Sequence, residues 1–236
     1  MTDYRDMERR LFSALGLRRP PVGVAFRESP PPGVARFEGS APAGCSFWRI
    51  AAGGRAFYTV PADHYNCPIG AYTHNISLPE ARAQELPQTL SLMSSIGYIR
   101  MEEVPSIPRL PRPPGAVVYA PLGEMPVDPD VVLFVGAPGR VMLLQEAAGR
   151  ADVAVQAPLF GRPTCMALPA ALALGSVVSV GCIGNRVYTD VGEDELYVVV
   201  PGRDLPKIAA EIETIAGANA KLTEYHRDRR ATLSTA

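Results

Sequence analysis

The sequence predicts a mixed α/β fold built from two related halves. Short β-branched, apolar runs alternate with stretches of helical periodicity along most of the chain. The chain's four cysteines occur in two similar settings, Cys45 to Cys67 and Cys165 to Cys182. Each setting closes on a cysteine followed two or three residues later by glycine. These observations favour an internal duplication whose βα-rich halves pack about a pseudo-two-fold axis.

Matching segments keep one order in both halves. The first three pairs have offsets of 132 − 24 = 108, 165 − 45 = 120 and 182 − 67 = 115. The pairs are Val24–Phe26 with Val132–Phe134, Cys45 with Cys165, Cys67 with Cys182, and Tyr119–Pro121 with Val199–Pro201. Four ordered matches favour a duplication over chance.

The first half is predicted as helices and strands joined by proline-rich turns. Apolar residues at helical spacing place a helix at Tyr4–Leu15, ended by Gly16. Prolines and glycines favour a loop from Asp63 to Asn75. The other expected elements are strands 22–26 and 56–60, helix 45–52 and helix 79–96.

The second half repeats this alternation. Expected strands are 116–121, 131–135, 153–156, 176–180 and 195–200, and expected helices are 140–148, 205–215 and a polar helix 218–230. The proline-rich segment 105–114 is predicted to link the halves. The expected regions are a bracing helix 1–16, a first half 17–104, the linker 105–114, a second half 115–217, and a C-terminal helix and tail 218–236.

Composition limits the class of function. The 236 residues carry 23 Lys and Arg against 24 Asp and Glu, a net charge of −1, so neither nucleic acid nor an anionic membrane is an expected partner. The uncharged run from Thr164 to Asn185 is interrupted by proline and glycine, which disfavours a membrane span. The charged N-terminus has no apolar signal core. A cytoplasmic, reducing location is therefore expected, with a small-molecule ligand or a redox partner. Homo-oligomerisation is left open.

Several motifs together resemble a prokaryotic family catalogued as domain of unknown function 169. They are PPVGVAF, the four cysteines as placed, APLGEMPVDPDVVLF, and GCIGNR followed by DELYVVVP. The likeness spans roughly residues 17–215. It implies the fold of that family and directs attention to the cysteines, Arg186 and Glu195, but it implies no reaction. Ser46 and Phe47 follow the first cysteine where a glutamine is expected in relatives.

Thiolates favour zinc, copper(I) and iron–sulfur clusters, and four of them complete such a site. Intervals of 67 − 45 = 22 and 182 − 165 = 17 residues lack the closely spaced pairs of structural zinc sites, so the fold has to gather the ligands. The preferred hypothesis is a cytosolic iron–sulfur or other thiolate-ligated metal protein that acts as a redox enzyme or electron carrier on a small molecule. Its cofactor would be a 4Fe–4S cluster on Cys45, Cys67, Cys165 and Cys182, with zinc or no cofactor as alternatives.

Cationic and polar residues near the cysteines are expected to support that cofactor, since a thiolate cluster carries negative charge. The residues singled out are Arg49, His64, Arg162, Asn185 and Arg186.

Two alternatives remain open at this point. Free cysteines are often buried as small hydrophobes, so the chain is also consistent with a non-catalytic module that binds a small ligand between its halves. A thiol-dependent enzyme with Cys67 or Cys182 as nucleophile is the other alternative. Catalytic residues are not assigned, and enzymatic activity is left open.

Overall fold

A computed structural model describes residues 2–155 and 161–234 as a mixed α/β fold, which confirms the predicted class. The strands are β1 (Val22–Arg27), β2 (Phe57–Thr59), β3 (Ala116–Pro121), β4 (Val131–Gly136), β5 (Val177–Ser179) and β6 (Leu196–Pro201). The helices are α1 (Tyr4–Leu15), α2 (Gly44–Ala52), α3 (Pro68–Thr73), α4 (Glu85–Ser95), α5 (Pro138–Arg150), α6 (Ala167–Leu174), α7 (Ile183–Tyr188) and α8 (Leu205–Ser234).

The described strands form one antiparallel sheet in the order β2-β3-β1-β4-β6-β5. Its two central strands, β1 and β4, pair over three residues each, with Val22 opposite Leu133 and Val24 opposite Val131. On one side β1 pairs with β3, which pairs with β2. On the other side β4 pairs with β6, which pairs with β5. One side of the sheet therefore consists of β1, β2 and β3, and the other side consists of β4, β5 and β6.

Both faces of β4 and β6 are covered, which explains their uninterrupted apolar sequences. Successive side chains of a strand point to opposite faces. Val131 and Leu133 accordingly pack with α2 and α6, whereas Val132 and Phe134 pack with α1, α5 and α8. Each fully buried aliphatic side chain of this kind contributes about 1.5–3 kcal/mol to folding.

Helix α1 begins and ends where its sequence specifies. The Asp3 carboxylate accepts the backbone N–H of Asp6 at 2.9 Å and caps the first turn. Gly16 ends the helix at φ 56°, in the left-handed region that glycine adopts without a steric penalty. The buried Met7, Leu11 and Leu15 confirm the predicted apolar face.

Several predicted elements differ in the structure. The segment 63–75 was expected to be a loop, but it contains the end of a 3₁₀ helix, Pro61–His64, and helix α3. Pro68 is tolerated because it occupies the first helical position, where its missing N–H costs nothing. The helix expected at 79–96 is divided into a 3₁₀ turn, Glu80–Arg82, and α4.

The C-terminal prediction was also wrong in one respect. Gly217 was expected to separate two helices, but α8 continues through it to Ser234. A glycine inside a helix costs about 1 kcal/mol, which is too little to break one anchored by the buried Leu205, Ile208 and Ile212.

The strand expected at 153–156 is reduced to an isolated bridge between Val155 and Ser176, and residue 156 lies outside the described residues. Every described helix is too short or too polar to cross a lipid bilayer.

Candidate functional site

A cavity of about 1190 Å³ separates two walls of the molecule. One wall combines the start of α2, the chain before α3, the helix α4 and the 3₁₀ helix Met101–Ser106. The other wall consists of residues 162–166 and the start of α7. Most described lining side chains are aliphatic or aromatic, and the cavity is therefore suited to an apolar molecule.

All four cysteines line this cavity. Cys45 is the second residue of α2, and Cys165 is the second residue of the 3₁₀ turn Thr164–Met166 that leads into α6. Both are buried, with 8% of their surface exposed. The fold thus brings together thiols that are far apart in the chain.

Cys67 and Cys182 each cap a short helix. The Cys67 sulfur accepts the backbone N–H of Gly70 at 3.3 Å, at the start of α3. The Cys182 sulfur accepts the backbone N–H of Asn185 at 3.5 Å, at the start of α7. Both side chains are partly exposed to the cavity, so they are its more accessible thiols.

Burial favours the neutral form of the thiols. It raises the pKa of Cys45 to about 12, and it also raises the pKa of Cys67 and of Cys165. Negative charge on Cys67 would raise the pKa of Cys165 further, because the two groups are close together. A neutral thiol is a poor nucleophile, so this environment disfavours Cys67 as the reactive group of a thiol enzyme.

The prediction of an iron–sulfur or other thiolate-ligated metal protein is wrong. Across residues 2–155 and 161–234, no three His, Cys, Asp or Glu side chains form a group that could hold a metal ion. The physical reason is the cost of ionising the thiols, since burial raises the pKa of Cys45, Cys67 and Cys165 and a metal ligand has to be a thiolate.

Asn185 is a buried polar residue of the cavity lining. It is 1% exposed, and neither side-chain amide atom has a hydrogen-bond partner among the described residues. Its amide lies near the Cys45 thiol and the Tyr197 hydroxyl. Burial raises the pKa of both groups, and the interaction with the amide lowers it in part.

The three singled-out arginines occupy different environments. Arg162 lines the cavity and forms an ion pair with Glu103 at 3.3 Å. Arg49 lies on the surface, outside the cavity lining, and pairs with Asp190.

Arg186 is likewise outside the cavity lining, because its guanidinium is used within the fold. It donates to the backbone carbonyl oxygens of Val180, Gly192 and Glu195, the last at 3.0 Å. These bonds fold the segment between α7 and β6 and thereby support the wall that carries Cys182.

His64 is buried beside β2 and lies outside the cavity lining. Its Nε2 is 2.8 Å from the Thr59 hydroxyl, and its ring centroid is 5.4 Å from that of His74. Burial lowers the pKa of His64 well below its ordinary value and lowers the pKa of His74 to about 4. Both imidazoles are therefore neutral at pH 7, and they form part of the core.

The apolar wall formed by α4 and the residues after it was not predicted from the sequence. Leu90, Met93, Ile96, Tyr98 and Ile99 line the cavity. The sequence did contain one sign of this wall. The segment from Leu90 to Ile99 has more large apolar residues than one buried face of a helix needs. Ile96, for example, is 69% exposed although it lines the cavity.

Comparison with known proteins agrees with the resemblance noted in the sequence. The profile of the family named domain of unknown function 169, described as "Uncharacterised ArCR", matches residues 10–211. An uncharacterised protein of Methanocaldococcus jannaschii is 30% identical over 166 residues, which cover 64% of this chain and 67% of that protein. No solved structure matches the chain.

Proposed function

We propose that this chain, which belongs to the family of domain of unknown function 169, binds a small and mainly apolar molecule in the cavity without transforming it. The volume of about 1190 Å³ is slightly larger than the roughly 300–1,000 Å³ of typical small-molecule sites. The apolar lining would contribute most of the binding free energy through the hydrophobic effect. The four cysteines extend this lining as small, polarisable side chains.

The single observation that carries the proposal is the cavity lining, in which large apolar side chains such as Leu92, Ile96 and Ile183 remain exposed. Exposed apolar surface of this kind usually marks a place where a ligand or partner binds. An apolar cavity with a few convergent polar groups is the usual form of a ligand site.

We also propose that the two sides of the molecule are duplicated halves related by a pseudo-two-fold axis between β1 and β4. Support comes from the sheet order, in which β2-β3-β1 is mirrored by β5-β6-β4. The pairing of Phe57 with Tyr119 corresponds to that of Val177 with Val199. The halves would be residues 17–104 and 115–217, joined by 105–114, with 1–16 and 218–236 as additions. The thiol-lined cavity would then lie between related walls.

The strand registers favour a different offset for the first strand. Val22 pairs with Pro121, and Val131 pairs with Pro201. Since Pro121 and Pro201 are the matched prolines, the offset is 131 − 22 = 109, one more than the sequence match of 108. A one-residue change moves every side chain to the other face of a sheet, so only the offset of 109 keeps equivalent residues on equivalent faces.

Binding of the neutral, apolar fluorophore Nile red tests the proposed function. We expect saturable binding of one dye molecule per chain, with the blue-shifted emission of an apolar environment. Met93→Trp should fill part of the cavity and weaken binding at least about tenfold, because Met93 lines it. Met142→Trp is the matched control, since Met142 is exposed on α5 and outside the lining. Absence of saturable binding, or equal losses in the two variants, would contradict the proposal.

A further inference from the structure

We propose that the bound molecule is an amphipathic carboxylic acid whose carboxylate pairs with Arg162. This inference rests on the proposed function and specifies the chemical class of the ligand. It depends on the charges at one end of the cavity, which are independent of the apolar lining that carries the proposed function.

Two arginines share one carboxylate at that end. Glu103 accepts from Arg100 Nε at 3.0 Å through one oxygen and from an Arg162 terminal nitrogen at 3.3 Å through the other. All three side chains line the cavity. The contact of Arg162 is the longer of the two, so Arg162 is the guanidinium that Glu103 holds less closely.

The remaining donors of Arg162 have no hydrogen-bond partner among the described residues other than Glu103. Its guanidinium carbon lies 4.9 Å from the centroid of the Tyr98 ring, which holds the group against the cavity wall. With 42% of its side chain exposed, it is reachable from solvent. A guanidinium presents paired N–H donors that match the two oxygens of a carboxylate.

The charge distribution along the lining makes the site amphipathic. Among the described lining residues only Arg100, Glu103 and Arg162 are charged, which gives 2 − 1 = +1. The rest of the described lining consists of apolar residues, cysteines and neutral polar residues. A carboxylate would accept from the guanidinium donors of Arg162 that Glu103 does not use, while a hydrocarbon body would occupy the remaining volume.

Exposed apolar residues of the lining support the hydrocarbon part. Leu92, Ile96 and Ile183 are 62%, 69% and 64% exposed, and they come from both walls. Clustered apolar exposure of this kind usually indicates a surface that a ligand or partner covers. A hydrocarbon chain running from Arg162 between the walls would cover all three.

Competition between decanoate and decanol for the Nile red site tests this inference, with both below the concentration at which decanoate forms micelles. The two share one hydrocarbon chain and differ only in the head group. Decanoate is expected to displace the dye at about tenfold lower concentration than decanol. Arg162→Gln should remove that preference and leave decanol displacement unchanged. Arg150→Gln, which breaks the Arg150–Glu211 pair on the surface away from the cavity, should preserve the preference.

The outcomes separate this inference from the proposed function. If decanol displaces the dye as well as decanoate does, or if Arg162→Gln keeps the preference, the carboxylate inference is wrong although the cavity binds apolar molecules. If Nile red itself does not bind, the proposed function fails, and the carboxylate inference fails with it.

Discussion

Cys67 and Cys182 occupy the same structural position in two different helices, since each sulfur accepts the backbone N–H of the third following residue, at 3.3 Å and 3.5 Å. A serine hydroxyl oxygen can accept the same backbone N–H, whereas an alanine side chain has no acceptor and leaves that N–H uncapped. At each position the Ser variant should therefore be more stable than the Ala variant by about 0.5–1 kcal/mol. Urea unfolding of the four single variants measures the difference. An Ala variant that equals or exceeds its Ser counterpart at both positions would exclude the capping role.

Alkaline pH should destabilise the protein through its buried thiols. Burial raises the pKa of Cys45 to about 12, so its thiol ionises first in the unfolded state. Stability is then complete below about pH 9 and decreases as the pH rises from there towards 12, by up to about 1.4 kcal/mol per pH unit for this group. Cys45→Ala should lessen the decrease between pH 8 and pH 10 in urea titrations. A slope equal to that of the wild type would contradict the burial argument.

Acid pH should destabilise the protein through His64 and His74. Burial lowers the pKa of both, to about 4 for His74, so the unfolded state binds protons that the folded state excludes. The stabilisation is fully present above about pH 6.5 and is lost as the pH falls towards 4, by up to about 1.4 kcal/mol per pH unit for each histidine.

Replacement of a buried histidine tests that loss. His74→Asn should be less stable than wild type at pH 7 but should lose stability more slowly between pH 6.5 and pH 5. His226→Gln is the control, because that side chain is exposed on α8 and its removal leaves the core intact. If the pH slope of His74→Asn matches that of the control, the buried histidines are not the cause.

Arg186 and Arg49 should differ in their effect on stability although both follow a cysteine by four residues. Arg186 donates to three backbone carbonyl oxygens, whereas Arg49 forms one pair with Asp190 on the surface. Arg186→Gln should cost about 2–3 kcal/mol, and Arg49→Gln less than about 1 kcal/mol. Urea unfolding of both variants measures the difference. Similar losses would show that the carbonyl contacts are weak.

Features that depend on local patterns were predictable from the sequence. The strands follow from β-branched runs, and α1 follows from its apolar spacing and from Gly16. All four cysteines line one cavity, but the prediction that their sulfurs form one ligand cluster was wrong, since no three of them form such a group in the described parts of the chain. Their chemistry was not predictable, because it depends on burial and on hydrogen bonds with each helix's own backbone.

Features that depend on packing between distant segments could not be predicted from the sequence pattern. Glu195 follows two other acidic residues, yet it is 4% exposed and pairs with Arg19 at 3.1 Å. Nothing near Glu195 in the chain indicates that partner. The cavity wall of α4 has the same character, because apolar periodicity indicates a face without specifying what it faces.

Protection of Cys67 and Cys182 from alkylation tests the central claim that the thiol-lined cavity binds an apolar molecule. Iodoacetamide labelling at pH 8, resolved by peptide mass spectrometry, measures the rate at each cysteine with and without saturating Nile red. Cys67 and Cys182 are the partly exposed thiols, whereas Cys45 and Cys165 are buried. The account predicts that bound dye slows labelling of Cys67 and Cys182 at least about fivefold, and that Cys45 and Cys165 react only after unfolding. Unchanged rates at Cys67 and Cys182 in the presence of bound dye would contradict it.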